Sequence, residues 1–144
     1  MQDFYKNLCK DMLRKYMQVR ETTHEMDLRI QELNDRLTNT TVRYGVDPVQ
    51  GGGTSQEDVY LNTIAKRAML ETNNRINKSL VKIVEKALKS LSKQEADIVI
   101  RLYASEEKNV ILKLMEEYHY EKRNIYYIAN KALKTLSYKM FGDA

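Results

Sequence analysis

Apolar side chains recur at Tyr5, Leu8, Met12, Tyr16, Val19, Met26, Ile30, Leu33 and Leu37, in steps of three and four, with Thr23 filling one polar place in the series. That spacing lines one side of an α-helix and predicts a single helix of roughly ten turns from Tyr5 to Leu37, with a narrow stripe suited to one or two partner helices. A helix of this kind is not stable alone in water, so the stripe calls for something to cover it. The periodicity stops in residues 38–55, which hold Pro48 and the triplet Gly51-Gly52-Gly53 and read as an irregular connector. Thr54 with Glu57, or Ser55 with Asp58, then offers a capping pair for a second helix. This helix runs to about Leu91, with apolar places at Leu61, Ile64, Ala65, Ala68, Ile76, Leu80, Ile83, Val84, Ala87 and Leu88. Its outer face carries Lys66, Arg67, Arg75, Lys78, Lys82, Lys86 and Lys89. Two long amphipathic helices joined by a loop predict an antiparallel hairpin.

Beyond Leu91 the helices shorten. Ser92-Lys93-Gln94-Glu95 is a capping box, in which serine and glutamate each satisfy a backbone N–H at a helix start, and it predicts a helix ending near Tyr103. Ala104 to Lys108 reads as a polar turn, Asn109 to Tyr118 as a shorter helix, His119-Tyr120 as a tight turn, and Glu121 to about Met140 as a final helix. No alternation of the β type persists for more than a few residues. The expected fold is therefore all-α: a long helical hairpin over residues 1–90, with its connector at 38–55, followed by a helix-turn-helix domain over 91–144.

Composition agrees with helices. Glycine and proline total six of 144 residues, while 42% of the chain is hydrophobic and 31% charged, which excludes a disordered polymer. The lone Cys9 cannot close an internal disulfide, and neither a leader segment nor a bilayer-length apolar run is visible, so a cytoplasmic protein without a membrane partner is expected. The net charge of +4 is unevenly spread. Basic and acidic residues balance at eight each over residues 1–54, stand at seven to four over 55–91, and at five to two over 120–144. An acid-poor C-terminus is compatible with nucleic acid.

The densest pattern is Ile125-Tyr126-Tyr127-Ile128-Ala129-Asn130-Lys131-Ala132-Leu133-Lys134-Thr135-Leu136, which follows the template I-x-x-I-x-x-K-A-L-x-x-L. It resembles the recognition helix of the sigma-factor region-four domain, and Leu91-Ser92-x-x-Glu95 leading into Ile98, Ile100, Arg101, Leu102 and Tyr103 is similar to that domain's upstream part. With the long N-terminal helices and Gly-rich connector, the layout resembles the ArpU/RinA-type phage transcription regulators. The resemblance to region four covers about residues 91–140; that of the first ninety is one of layout. It implies a phage- or prophage-encoded regulator of the late-gene activator type. Lys122, Arg123 and Tyr127 stand where the region-four family presents Arg-Glu and a downstream Gln, Met115 stands where a small residue is common, and His119-Tyr120 replaces a Gly-containing turn.

Helical spacing alone makes Ile125, Ile128, Ala129, Ala132, Leu133 and Leu136 an inward stripe. Lys122, Arg123, Asn124, Tyr126, Tyr127, Asn130, Lys131 and Lys134 are left on the remaining surface, with no acid between Glu121 and Asp143. Lysine and arginine pair with phosphates, both also reach guanine, asparagine forms two bonds to adenine, and a tyrosine offers its hydroxyl to phosphate or its ring to a thymine methyl. These eight residues are the expected contacts to double-stranded DNA.

Other chemistry finds little footing. Cys9, His24 and His119 lack zinc-site spacing, the glycine triplet lacks the Lys-Ser that follows a phosphate loop, and no nucleophile–base pair can be named. No catalytic residue, cofactor, metal or small-molecule substrate is expected, and the chain reads as a non-enzyme. The long helices are expected to form a homodimer, with RNA polymerase as a second partner. Two other readings compete: a small terminase-like subunit for DNA packaging, and an interaction protein that has lost DNA binding and acts on a host factor.

Overall fold

A computed structural model describes residues 3–46 and 56–144. It is all-α, with no strand among the described residues. The helices are α1 (Asp3–Val19), α2 (Thr22–Val46), α3 (Gln56–Leu88), α4 (Lys93–Tyr103), α5 (Val110–Tyr118) and α6 (Lys122–Phe141). Among the described residues no helix is long and apolar enough to cross a membrane.

The single helix expected from Tyr5 to Leu37 is interrupted at Arg20-Glu21. Arg20 N–H still bonds the Tyr16 carbonyl at 3.0 Å, but α2 starts afresh at Thr22. The break falls just before Thr22-Thr23-His24, a stretch with no apolar anchor and with two threonines, whose side chains compete for backbone hydrogen bonds and favour helix starts over helix interiors. Helix then continues through residues 38–46, part of the expected connector. Pro48, the glycine triplet, Thr54 and Ser55 lie outside the described residues.

The chain divides into two compact units, one formed by Met1–Arg20 with Ser79–Ala144 and the other by Glu21–Lys78. A division near residue 90 is thus not where the contacts separate. The reason is a core in which Cys9, Leu13 and Tyr16 of α1 and Val84 and Ala87 of α3 meet Val99 of α4 and Ala132, Leu133 and Leu136 of α6. Cys9 and Leu13 are fully buried, whereas Leu8 and Met12, which the periodicity placed on the stripe, are half-buried. Burial raises the Cys9 thiol pKa, and its Sγ lies 3.7 Å from the Leu133 carbonyl oxygen that accepts its weak hydrogen bond. A second core in the same unit joins Ile98 of α4, Leu114 of α5, and Ile125 and Ala129 of α6.

Within the other unit, α2 and α3 meet through polar groups. Asn74 Nδ2 and Lys78 Nζ both donate to Asp27 Oδ1, at 2.8 and 2.7 Å, and Arg67 donates to Asn34 Oδ1 at 3.1 Å. The later residue of α2 meets the earlier residue of α3, so the two helices run in opposite directions along this contact. Arg67 and Lys78, expected on the outer face, are therefore turned toward α2. Leu61 and Ile76, expected at apolar contacts, are 54% and 58% exposed, and Met69 is 62% exposed. Leu33 and Leu37 of α2 are buried. Periodicity identifies an apolar face without saying where along the helix it finds a partner: the expected apolar places Val84 and Ala87 of α3 are buried, whereas between Leu61 and Lys78 polar groups make contacts with α2.

Truncating Leu133 tests the first core, because a fully buried leucine leaves both lost transfer energy and a cavity. Leu133→Ala should cost about 2–5 kcal/mol in urea unfolding, and the exposed Leu112→Ser within about 0.5 kcal/mol. Equal losses at the two positions would show that the buried face of α6 is misassigned.

Candidate nucleic-acid interface

The capping box expected at Ser92 is present: Ser92 Oγ accepts from Glu95 N–H at 3.1 Å and Glu95 Oε1 accepts from Ser92 N–H at 3.3 Å. It sets the start of α4, whose Ile98 and Val99 are fully buried in the two cores. α5 then packs Leu114 beside Ile98, with Met115 half-buried at the edge of that cluster.

The turn into α6 is made by His119 at φ 56° and ψ 39°, the left-handed region where a helix C-terminus favours glycine or asparagine. A histidine pays about 1–2 kcal/mol there, and its neighbours hold the turn from both sides. Tyr118 donates to Asp97 Oδ2, and Tyr120 accepts from Gln94 Nε2 at 3.1 Å. The Tyr118 and Tyr120 rings stack with centroids 6.3 Å apart.

Sequence reasoning passed over the strongest polar cluster in this unit. Arg101, with an 18% exposed side chain, sends two parallel hydrogen bonds of 3.0 Å to Glu107 and two of 2.5 and 3.1 Å to Glu117, and lies 3.5 Å from Asp97. The guanidinium thus ties α4, the following turn and α5 into one piece, with the planar two-pronged geometry that favours carboxylates. Only Asp97, four residues away on the same helix, was readable as a partner in advance. The Arg101 hydrogen bonds hold Glu107 below the usual carboxylate range. Burial, and next the hydrogen bond to Asp97, push Tyr118 up to about 12.

On α6 the inward residues Ile125, Ala129, Ala132, Leu133 and Leu136 are fully buried, while Ile128 is half-buried. Lys122, Arg123, Asn124, Tyr126, Tyr127, Asn130, Lys131 and Lys134 are all exposed. None of them takes part in an ion pair among the described residues. Helical geometry brings Arg123, Tyr127, Asn130 and Lys134 into one line, flanked by Tyr126 on one side and by Asn124 and Lys131 on the other. Lys122 stands apart at the first turn, near the edge of the packed face. The first turn contains no acid and its Glu121 N-cap makes no side-chain cap, so Lys122 and Arg123 add to the positive end of the helix. The surface can therefore offer cations and hydrogen-bond donors to an anionic, groove-shaped ligand.

No family model, curated protein or solved structure matches this chain.

Arg101→Met should destabilise the protein by about 1–3 kcal/mol, because it leaves three carboxylates close together with only Lys113, 3.4 Å from Glu107, as a cation. The pH profile of the wild type should show two losses. Glu107 is depressed in the folded state, so its contribution is present above the ordinary carboxylate range and disappears as pH falls through its lower folded value. Tyr118 is raised, so its contribution is complete below about 10 and disappears as pH climbs towards 12. Thermal melts across pH check both limbs, and an acid limb unchanged in Arg101→Met would remove the cluster from the explanation.

Proposed function

We propose that this chain is a sequence-specific DNA-binding transcription regulator in which α6 enters the major groove. One observation carries the reading: an acid-free outer face of eight exposed residues on a helix whose inner face is locked into two cores. A rigid helix is suited to holding base-reading groups, and its first turns are where a helix-turn-helix places base contacts. The order α5, tight turn, α6 supports that geometry, as does the resemblance of residues 91–140 to sigma region four. The layout's resemblance to ArpU/RinA-type regulators supports a phage- or prophage-encoded activator of late genes.

The two groups on α6 should fail differently. Arg123→Ala or Asn124→Ala should weaken the specific site by roughly 1–3 kcal/mol and narrow the gap to unrelated DNA. Lys134→Ala should weaken all sequences alike and lower the salt slope by about one. These effects are read by selecting bound fragments from the source genome and titrating binding across salt. Wild-type protein that binds no fragment at low salt would overturn the regulator and terminase-like readings together and leave the interaction protein.

The same proposal has the protein act as a homodimer, with RNA polymerase as a further partner of the long helices. Leu61, Met69 and Ile76 of α3 support this, since they are spaced by eight and seven residues and more than half exposed, leaving apolar surface uncovered on one side of the helix. Two-fold symmetry would pair two recognition helices with two half-sites. Sedimentation should give a dimer mass that falls to the monomer in Met69→Glu/Ile76→Glu. A monomer at every concentration contradicts the dimer, and a large closed ring would favour the terminase-like subunit.

A further inference from the structure

We infer that the DNA read by α6 is an A·T-rich major-groove site, with a single G·C pair at the end met by the helix's first turn. This rests on the DNA-binding reading above and extends it to the chemistry of the target.

Lysine can reach guanine as well as phosphate, but Lys122 stands apart at the first turn, Lys131 flanks the central line and Lys134 lies beyond the first turns where base contacts fall, so the three are assigned to phosphates. The side chains left to meet base edges are Arg123, Asn124, Tyr126, Tyr127 and Asn130, all exposed, with Tyr127 at 65%. Arg123 suits the two acceptors on the guanine edge. Both asparagines match adenine, which alone presents an acceptor and a donor side by side in the major groove. The two tyrosine rings are apolar faces of a size to cover the thymine 5-methyl group, which no other base carries. A carboxylate, the acceptor that reads the cytosine amino group, is absent between Glu121 and Asp143. Four of the five groups thus favour A·T pairs and one favours G·C.

Position orders them. Arg123, Tyr127 and Asn130 share one line, and at about 1.5 Å per residue Arg123 and Asn130 stand roughly 10 Å apart along the axis. At about 3.4 Å per base pair this span covers roughly three pairs, which places guanine at the N-terminal end and thymine and adenine beyond it. The buried inner face, from Ile125 to Leu136, keeps the helix from rotating to present a different set.

The test uses the full chain and duplex DNA. Selection from a random duplex library should yield, in each half-site, a core of A·T pairs bounded by one G·C pair. In the selected site, deoxyuridine in place of a core thymidine removes only the methyl group and should weaken binding about three- to tenfold. Replacing a core adenine by 7-deazaadenine removes one acceptor and should weaken it at least about fivefold. Tyr127→Ala should be indifferent to one of the uracil substitutions and Asn130→Ala to one of the deaza substitutions. Both positions are exposed, so unchanged melting temperatures would show that the fold is intact. A G·C-rich core, or indifference of the wild type to uracil and 7-deazaadenine at every position, overturns the inference while leaving DNA binding in place. Absence of binding to any duplex at low salt overturns both.

Discussion

α6 has to fill two cores at once, and the arrangement of its unit follows from that constraint. Ile125 and Ala129 close a cluster with α4 and α5, while Ala132, Leu133 and Leu136 close another with α1 and the last turns of α3. Burying five apolar residues without residual exposure on one 20-residue helix commits that side completely. The opposite side has no core to serve, so cations, amides and phenols are tolerated there. The chemistry proposed for this protein occupies the face that packing leaves over.

A packed helix is useful to a ligand only if the turn leading into it is also held. Here the device is electrostatic. Arg101 gathers Asp97, Glu107 and Glu117, while Tyr118 and Tyr120 bind Asp97 and Gln94 on either side of a left-handed histidine. None of these contacts is made by the His119 side chain, so a glycine at position 119 would relieve the backbone and leave them in place. Lys113, 3.4 Å from Glu107, adds a second cation, so three carboxylates face two cations and the cluster's negative charge is offset only in part.

The unit formed by Glu21–Lys78 is built on a different principle. Asp27, Asn34, Arg67, Asn74 and Lys78 join α2 to α3 by directional bonds, and large apolar groups on α3 remain exposed. The Lys78–Asp27 ion pair is exposed and contributes little stability, generally below about 1 kcal/mol, while Asn74 beside it is buried. Specific polar pairs fix register well, so the contact defines how the two helices align more than how strongly they adhere.

Local signals in the amino-acid sequence determined a good part of this protein. The all-helical class, the capping box at Ser92, the bounds of α4 and α5 to within a residue, and the buried and exposed sides of α6 depend on spacing and on neighbours within a few positions, so they were legible there. The break at Arg20-Glu21, the burial of Cys9 and Leu13, the inward turn of Arg67 and Lys78, and the exposure of Leu61 and Ile76 were not. Nor were the partners of Arg101, since Glu117 lies 16 residues away and nothing in its local setting distinguishes it from Glu116. These features belong to the tertiary structure, because a helix with more than one plausible sticky face is turned by whichever element reaches it, and that choice is made by contacts between residues far apart in the chain.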